Sequence, residues 1–268
     1  MFTVKEKPRC CAYFRGDKCI EGFIEHIEAS LSVWRELKPY YYKSVLRSMS
    51  LRSPSIDFVE LALVLHDFGK LAGEYQVHRR SVVFRHEVLS GYVAFKVLES
   101  LSGIEGDIRY IVSMAVMLHH EPIILSAYAT RLGEKHLTIS NLRKVIELSD
   151  LTLSCELDLE YFNKFNYGRT IAGFIEKWDN EGLDPDDIVN VLRDLIIKAT
   201  IGDLKRLHII RAKVASILHL IVVSDSIAAH IKRCDGGTWV SRRALEGAEA
   251  LDRERLAKVA GGCRGRGD

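Results

Sequence analysis

The sequence predicts an all-α fold, and three observations carry that expectation. Apolar residues recur at helical spacing along most of the chain. Only five prolines interrupt 268 residues. Strand-like alternation is scarce. Glu21 to Leu37 reads as the first helix, with a stripe at Phe23, Ile27, Leu31 and Trp34. Pro54 to Phe68 reads as the second, with Ser53 as N-cap, Pro54 in the first position and Gly69 as terminator. Arg85 to Leu101 is a third and Asp107 to His120 a fourth, which stops where Pro122 disfavours helix at Glu121. Ser140 to Leu153 is a fifth, and Leu159 to Trp178 is aromatic and partly helical. Pro185 to Ile201 and Leu204 to Arg233 follow. Ser241 to Val259 reads as a charged helix before the basic tail GGCRGRGD. With no internal repeat and no linker in view, a helical bundle forming a single domain over 1–268 is expected. Its core lies at about 20–235, with a C-terminal helix and basic tail at 236–268.

Composition narrows the classes. A hydrophobic content of 47% supports a sizeable core, and 28% charged residues is ordinary for a soluble protein. A formal net charge of +2 neither predicts nor excludes nucleic-acid binding. The six cysteines, Cys10, Cys11, Cys19, Cys155, Cys234 and Cys263, contain no CxxC pair, so a zinc ribbon is not expected. Cys10, Cys11 and Cys19 lack an evident fourth ligand for a metal site. A chain of this size does not depend on disulfide staples, which points to a reducing cytoplasm. The first twenty residues are charged and carry no apolar signal core. The apolar run near Val214 to Val223 contains His219 and falls short of a membrane span, so no membrane association is expected.

Chemistry is suggested by polar residues inside apolar helices. His66 and Asp67 end the apolar run LALVLHDFGK, and burying such a pair is costly without a partner. His119 and His120 stand in the last turn before Pro122, and His86 opens a helix. His26 lies on the apolar side of its helix with Phe23, Ile27 and Ser30. Asp225 continues the stripe of Val214, Leu218, Ile221 and Ala228. These groups of metal-ligand type point inward from five helices. Neutral imidazoles with carboxylates suit a divalent transition ion, which would compensate Asp67 and orient His66. Singly each has a blander reading: His26 as a hydrogen-bonded core residue, Asp225 as a buried partner of an arginine. His78, His136, His208, His219 and His230 do not join the set.

The adjacent His66-Asp67 in HDFGK, with His26 upstream and Asp225 far downstream, resembles the HD metal-dependent phosphohydrolase superfamily. FRHE at Phe84 to Glu87, LHH at Leu118 to His120 and the Ser224-Asp225 pair sharpen the likeness. This ordered set resembles the stand-alone HD nuclease of type I CRISPR interference systems, a subunit separate from its helicase, over about residues 20 to 235. The family's final motif is often Ala-Asp; Ser224-Asp225 keeps the carboxylate. The resemblance implies one metal held by His26, His66, Asp67 and Asp225, and a second held by Asp67, His86, His119 and His120. Asp67 would bridge them, and Lys70 would contact the phosphate or the attacking water. Two such ions, drawn from Mn, Co, Ni or Mg, can hold a scissile phosphate and lower the pKa of a water.

The expected activity is hydrolysis of single-stranded DNA during CRISPR interference. The expected partners are a CRISPR helicase subunit and the CRISPR RNA-guided surveillance complex. The alternative is an HD phosphohydrolase acting on nucleotides or cyclic nucleotides, and a third reading is a non-catalytic scaffold. The chain carries no Walker-type phosphate loop. Arg79 and Arg80, and Lys205 and Arg206 with Arg211 and Lys213, are candidates to track a phosphate backbone, as are Lys232 and Arg233. Tyr40 to Tyr42 are candidates to stack bases.

Overall fold

The computed structural model describes residues 7–79, 85–104, 106–120, 139–201 and 203–233. It is mostly helical, as expected, with one small antiparallel hairpin at the N-terminal end. The hairpin pairs β1, Cys11–Arg15, with β2, Lys18–Gly22, around a turn in which Gly16 adopts a positive φ of 59°. These strands are only five residues each and neither alternates cleanly between apolar and polar residues, so periodicity gives no strand signal there.

Helix α1, Phe23–Met49, runs twelve residues beyond the expected end at Leu37 and contains Pro39. A proline inside a helix forfeits one backbone bond at a cost of about 3 kcal/mol. Pro39 stands on the exposed side, and Val45 and Met49 bury beyond it. The extra turns pack along α9, where Ser48 Oγ donates to Ser216 Oγ at 2.8 Å. Helix α2, Phe58–Leu65, begins later than expected, because Asp57 and not Ser53 is its cap. The Asp57 carboxylate accepts from the backbone of Val59 and Glu60 at 3.0 and 3.1 Å. It also accepts from Trp34 Nε1 at 3.0 Å and pairs with Lys38, so one side chain caps α2 and ties it to α1.

After α2 the chain makes a 3-10 turn at Phe68–Leu71 and the short helix α3, Gly73–Gln76. Helix α4, His86–Ser100, packs against α5, Gly106–Met117. Helix α6, Ile139–Leu148, stops five residues before the expected Leu153. The stretch from Leu159 resolves into a 3-10 turn at Glu160–Lys164 and helix α7, Gly168–Glu181. Helix α8, Pro185–Thr200, starts behind the Asp184 cap, and α9, Leu204–Arg233, has the expected bounds. The expected helix at Ser241 to Val259 and the tail lie outside the described residues.

Helix α9 is long and apolar enough, by composition, to cross a bilayer, because it extends past the run that looked too short. Its apolar side is occupied within the protein: Ile217, Leu220, Ile221, Ile227 and Ala228 are buried, and the helix packs against α1, α2 and α5.

A chain of this size is expected to need no disulfide staples, yet four of its cysteines are paired. Cys11 and Cys19 form a disulfide across the hairpin, and Cys10 is joined to Cys155. The backbone explains both pairs. Hairpin formation brings Cys11 and Cys19 together, and an isolated bridge between Arg9 and Glu156 lays the N-terminal strand beside Cys155. No metal site of Cys10, Cys11 and Cys19 survives this pairing.

Candidate metal centre

The HD turn is built where α2 gives way to the 3-10 turn. His66 keeps helical torsions, and Asp67 departs from them at φ −109° and ψ 7°. The turn lies flush on the start of α4. The Gly69 amide donates to Ser90 Oγ at 2.8 Å, and a Cβ at Gly69 would meet the His86 carbonyl oxygen at 2.0 Å. Only glycine permits this approach, and it brings His86 to Asp67.

The structure gathers all seven expected ligands. Asp67, His86, His119 and His120 form one group and His26, His66 and Asp225 another, with ligand atoms inside each lying within 4.8 Å of one another. Asp67 stands between them. Its Oδ1 is 3.2 Å from His86 Nε2 and 3.6 Å from His119 Nε2. Its Oδ2 is 3.2 Å from His26 Nε2 and 3.6 Å from His66 Nε2. Asp225 Oδ1 closes the second group, 3.0 Å from His26 Nε2 and 3.7 Å from His66 Nε2. Lys70 Nζ donates to Asp67 Oδ2 at 2.6 Å.

The donor set fits divalent metal. Buried Asp67 Oδ1, His86 Nε2 and His119 Nε2 have no hydrogen-bond partner, although they face one another at ion-pair distance. Orphaned polar atoms at such depth are costly, and a shared cation would satisfy them. The opposite ring nitrogens are engaged: His66 Nδ1 with the Leu63 carbonyl and His119 Nδ1 with the Val116 carbonyl, both at 2.7 Å. Helix ends leave such carbonyls free, and donating Nδ1–H to them leaves Nε2 as the lone-pair side.

Electrostatics agree with a site prepared for positive charge. Burial pushes the Asp67 carboxyl up, but Lys70, His66, His119 and His26 together hold it well below the usual range. Asp225 is likewise held down, against burial, by His26 and His66. Burial pulls His26 down, yet Asp225, Asp67 and Glu21 outweigh it and raise the imidazole well above its ordinary value. His120 is pushed down to about 2 by burial and by His119 and His86.

A metal ligand must be neutral imidazole, so an ion entering the His26 group has to displace its proton. Below the raised pKa of His26, the proton competes with the ion. Apparent affinity should therefore fall by up to about tenfold for each unit of pH lowered, and level off above that pKa. Calorimetric titration with Co²⁺ in buffers of different ionisation enthalpy checks this. Affinity independent of pH, with no proton released, would contradict it.

Several residues entered without a sequence signal. Glu21, at the end of β2, lies 2.9 Å from His26 Nδ1, and its other oxygen accepts from Arg233 Nε at 3.0 Å. Glu87, beside His86, is buried and paired with Arg85. Helical periodicity marks neither acid, and the Arg233 partner of Glu21 is 212 residues away in sequence.

The basic candidates are not brought to the centre as a set. Arg79 is paired with Asp17 and stacked on the Phe14 ring, 4.5 Å from its centroid, which ties it to the hairpin. Arg80 lies outside the described residues. Lys205 and Arg206 stand twenty residues before Asp225 on α9, about 30 Å along the helix. Arg211 donates to the Ala199 carbonyl. Arg233 is the basic residue of these clusters that reaches a ligand's partner. Tyr40 and Tyr41 are exposed, whereas Tyr42 packs edge-on to Trp34 at 6.0 Å.

Comparison with known proteins fixes the family. Over 233 residues the chain is 35% identical to the CRISPR-associated endonuclease Cas3-HD of Thermoproteus tenax, covering 87% of this chain and 95% of that protein. The chain belongs to the Cas3-HD family. It is also 34% identical over 125 residues to the Cas3-HD protein of Pyrococcus furiosus, covering 43% of this chain and 51% of that one. With the Cas3-HD protein of Methanocaldococcus jannaschii it shares 26% identity over 193 residues, covering 67% and 74%. No family model matches the chain. The likeness to a stand-alone HD nuclease, drawn first from motif order, is borne out by these Cas3-HD relatives.

Proposed function

We propose that this Cas3-HD chain is a two-metal nuclease that hydrolyses phosphodiester bonds of single-stranded DNA during CRISPR interference, working with a separate helicase. Family membership makes it a CRISPR-associated nuclease. The observation that carries the finer reading is the division of one carboxylate. Asp67 turns Oδ1 to one ligand group and Oδ2 to the other. Two ions bound there would supply the charge that grips a scissile phosphate and lowers the pKa of a water. His26, His66 and Asp225 would complete one coordination sphere, and His86, His119 and His120 the other. Lys70, buried against Asp67, adds a cation beside the phosphate.

Five imidazoles against two carboxylates make a poor match for Mg²⁺, which prefers oxygen ligands and keeps its waters. Activity with Mn²⁺, Co²⁺ or Ni²⁺ should exceed activity with equal Mg²⁺ several-fold. Strong Mg²⁺ activity with none from the other three would contradict the ligand set.

The depth of the centre supports a single-stranded substrate. His66, Asp67 and His119 are buried, and the centre reaches solvent along its His86 and Asp225 edge, where each side chain is 14% exposed. A flexible single strand can enter such a recess more readily than a duplex, which is stiff over about 150 base pairs. We expect ATP-independent cleavage of single strands, flaps and displaced loops, with matched blunt duplex at least about tenfold slower. Rates on a strand, a duplex and a bubble of one sequence test this. Equal rates would remove the need for a helicase, and turnover of deoxynucleotides but not oligonucleotides would replace the reading altogether.

The proposed partners are the CRISPR helicase and the RNA-guided surveillance complex, in the cytoplasm. The disulfides fit such a compartment in hyperthermophilic archaea and bacteria, whose intracellular proteins are rich in them.

A further inference from the structure

The imidazoles of the centre are oriented in two different ways. His66 and His119 stand at helix ends and donate to carbonyls three residues back. His26 stands in the first turn of α1, where nearby carbonyls already accept helix bonds. Its Nδ1 needs an acceptor from elsewhere. That acceptor is Glu21, a carboxylate only 2% exposed, in strand β2 two residues before α1 begins.

We propose that Glu21 is a positioning residue of the metal centre, holding the His26 ring with Nδ1–H toward the hairpin and Nε2 toward the ion. The inference rests on the metal-dependent nuclease reading. Both Glu21 oxygens are committed, Oε1 to His26 and Oε2 to Arg233, so the carboxylate cannot swing away. Arg233 is itself held over the Tyr13 ring, 4.2 Å from its centroid, and thus to the same hairpin. The backbone around Glu21 is fixed as well. Cys11, in disulfide with Cys19, pairs with Gly22 in register, and the Phe23 amide donates to the Cys10 carbonyl at 3.0 Å. A carboxylate behind a ligating imidazole fixes the tautomer and raises ligand basicity, and losing one typically costs 10–100-fold in metal affinity.

Glu21→Gln tests this with little change of volume. The amide satisfies Arg233 best by offering it the oxygen, which turns the NH₂ donor toward His26 and favours the wrong tautomer. We expect Co²⁺ affinity of the His26 group to fall 10–100-fold. Activity lost at limiting Mn²⁺ should return in part at saturating Mn²⁺, which a general packing defect would not allow. Glu25→Gln removes the same charge from the exposed neighbour that pairs with Lys232 and should leave affinity unchanged. Should Glu21→Gln fail to fold, Arg233→Gln leaves Glu21 present but unanchored and should weaken Co²⁺ at least threefold. His26→Ala separates the two ideas. If it leaves Co²⁺ binding intact, the metal-centre reading has failed. If it weakens binding while folded Glu21→Gln, or Arg233→Gln in its place, matches wild type, the positioning role alone is overturned.

Discussion

Asp67→Ala protein should lose cleavage by roughly 10³-fold or more, about 4 kcal/mol of barrier, because its carboxylate faces both ligand groups. Loss of any other single ligand leaves one group whole. Asp225→Ala should cripple the His26 group yet keep partial metal binding through His86, His119 and His120. The Ala variant also strands Lys70, buried with its nearest anion removed, and an uncompensated buried charge costs several kcal/mol. Asp67→Asn is the gentler control: it keeps the volume and one oxygen, and should still lose the bridge. Single-turnover rates on labelled DNA, with circular dichroism to verify folding, decide the matter. Wild-type cleavage by a folded Asp67→Ala protein would end the two-metal proposal.

Reduction should be the next largest perturbation. Cys10 and Cys155 are 145 residues apart, and closing a loop of that length restricts the unfolded chain by about 5 kcal/mol in the entropic account. For a protein of this size that corresponds to roughly 10–20 °C in melting temperature. The Cys11–Cys19 bond closes only a short loop and should contribute about half as much. Melting curves with and without reductant, repeated on Cys10→Ala/Cys155→Ala protein, check both figures. Superimposable curves would show that the bonds do not constrain the chain in solution.

What could be read from the sequence follows from where each signal resides. Most of the candidate ligands were legible because they break an apolar helical pattern: His66-Asp67 after LALVL, Asp225 within the stripe of α9, His119-His120 before a proline. An ionisable group in such a place demands compensation, so its role shows in one dimension. Glu21 carries no such mark. It sits in a short, largely exposed strand, and its partners His26 and Arg233 explain it only once the hairpin and the end of α9 meet. The Asp57 cap is local, accepting from Val59 and Glu60, but Ser53-Pro54 offers a competing start signal four residues earlier, and the tie to Trp34 and Lys38 that favours Asp57 is tertiary. The continuation of α1 through Pro39 depends on packing along α9, which local propensity does not contain. Disulfide pairing needed the path of the strand beside Glu156.

The pairing of α1 with α9 brings His26 and Asp225 to 3.0 Å from nearly opposite ends of the described chain. Long-range closure of this kind comes late in folding, because the intervening segment must be ordered first. During synthesis the ribosome releases His66, Asp67, His86 and His119 well before Asp225. A nascent chain therefore exposes a partial set of ligands and acquires the complete one only when its last described helix docks. Under the two-metal proposal, a translation product that stops before α9 would carry the HD motif and lack Asp225, leaving the His26 group without its own carboxylate.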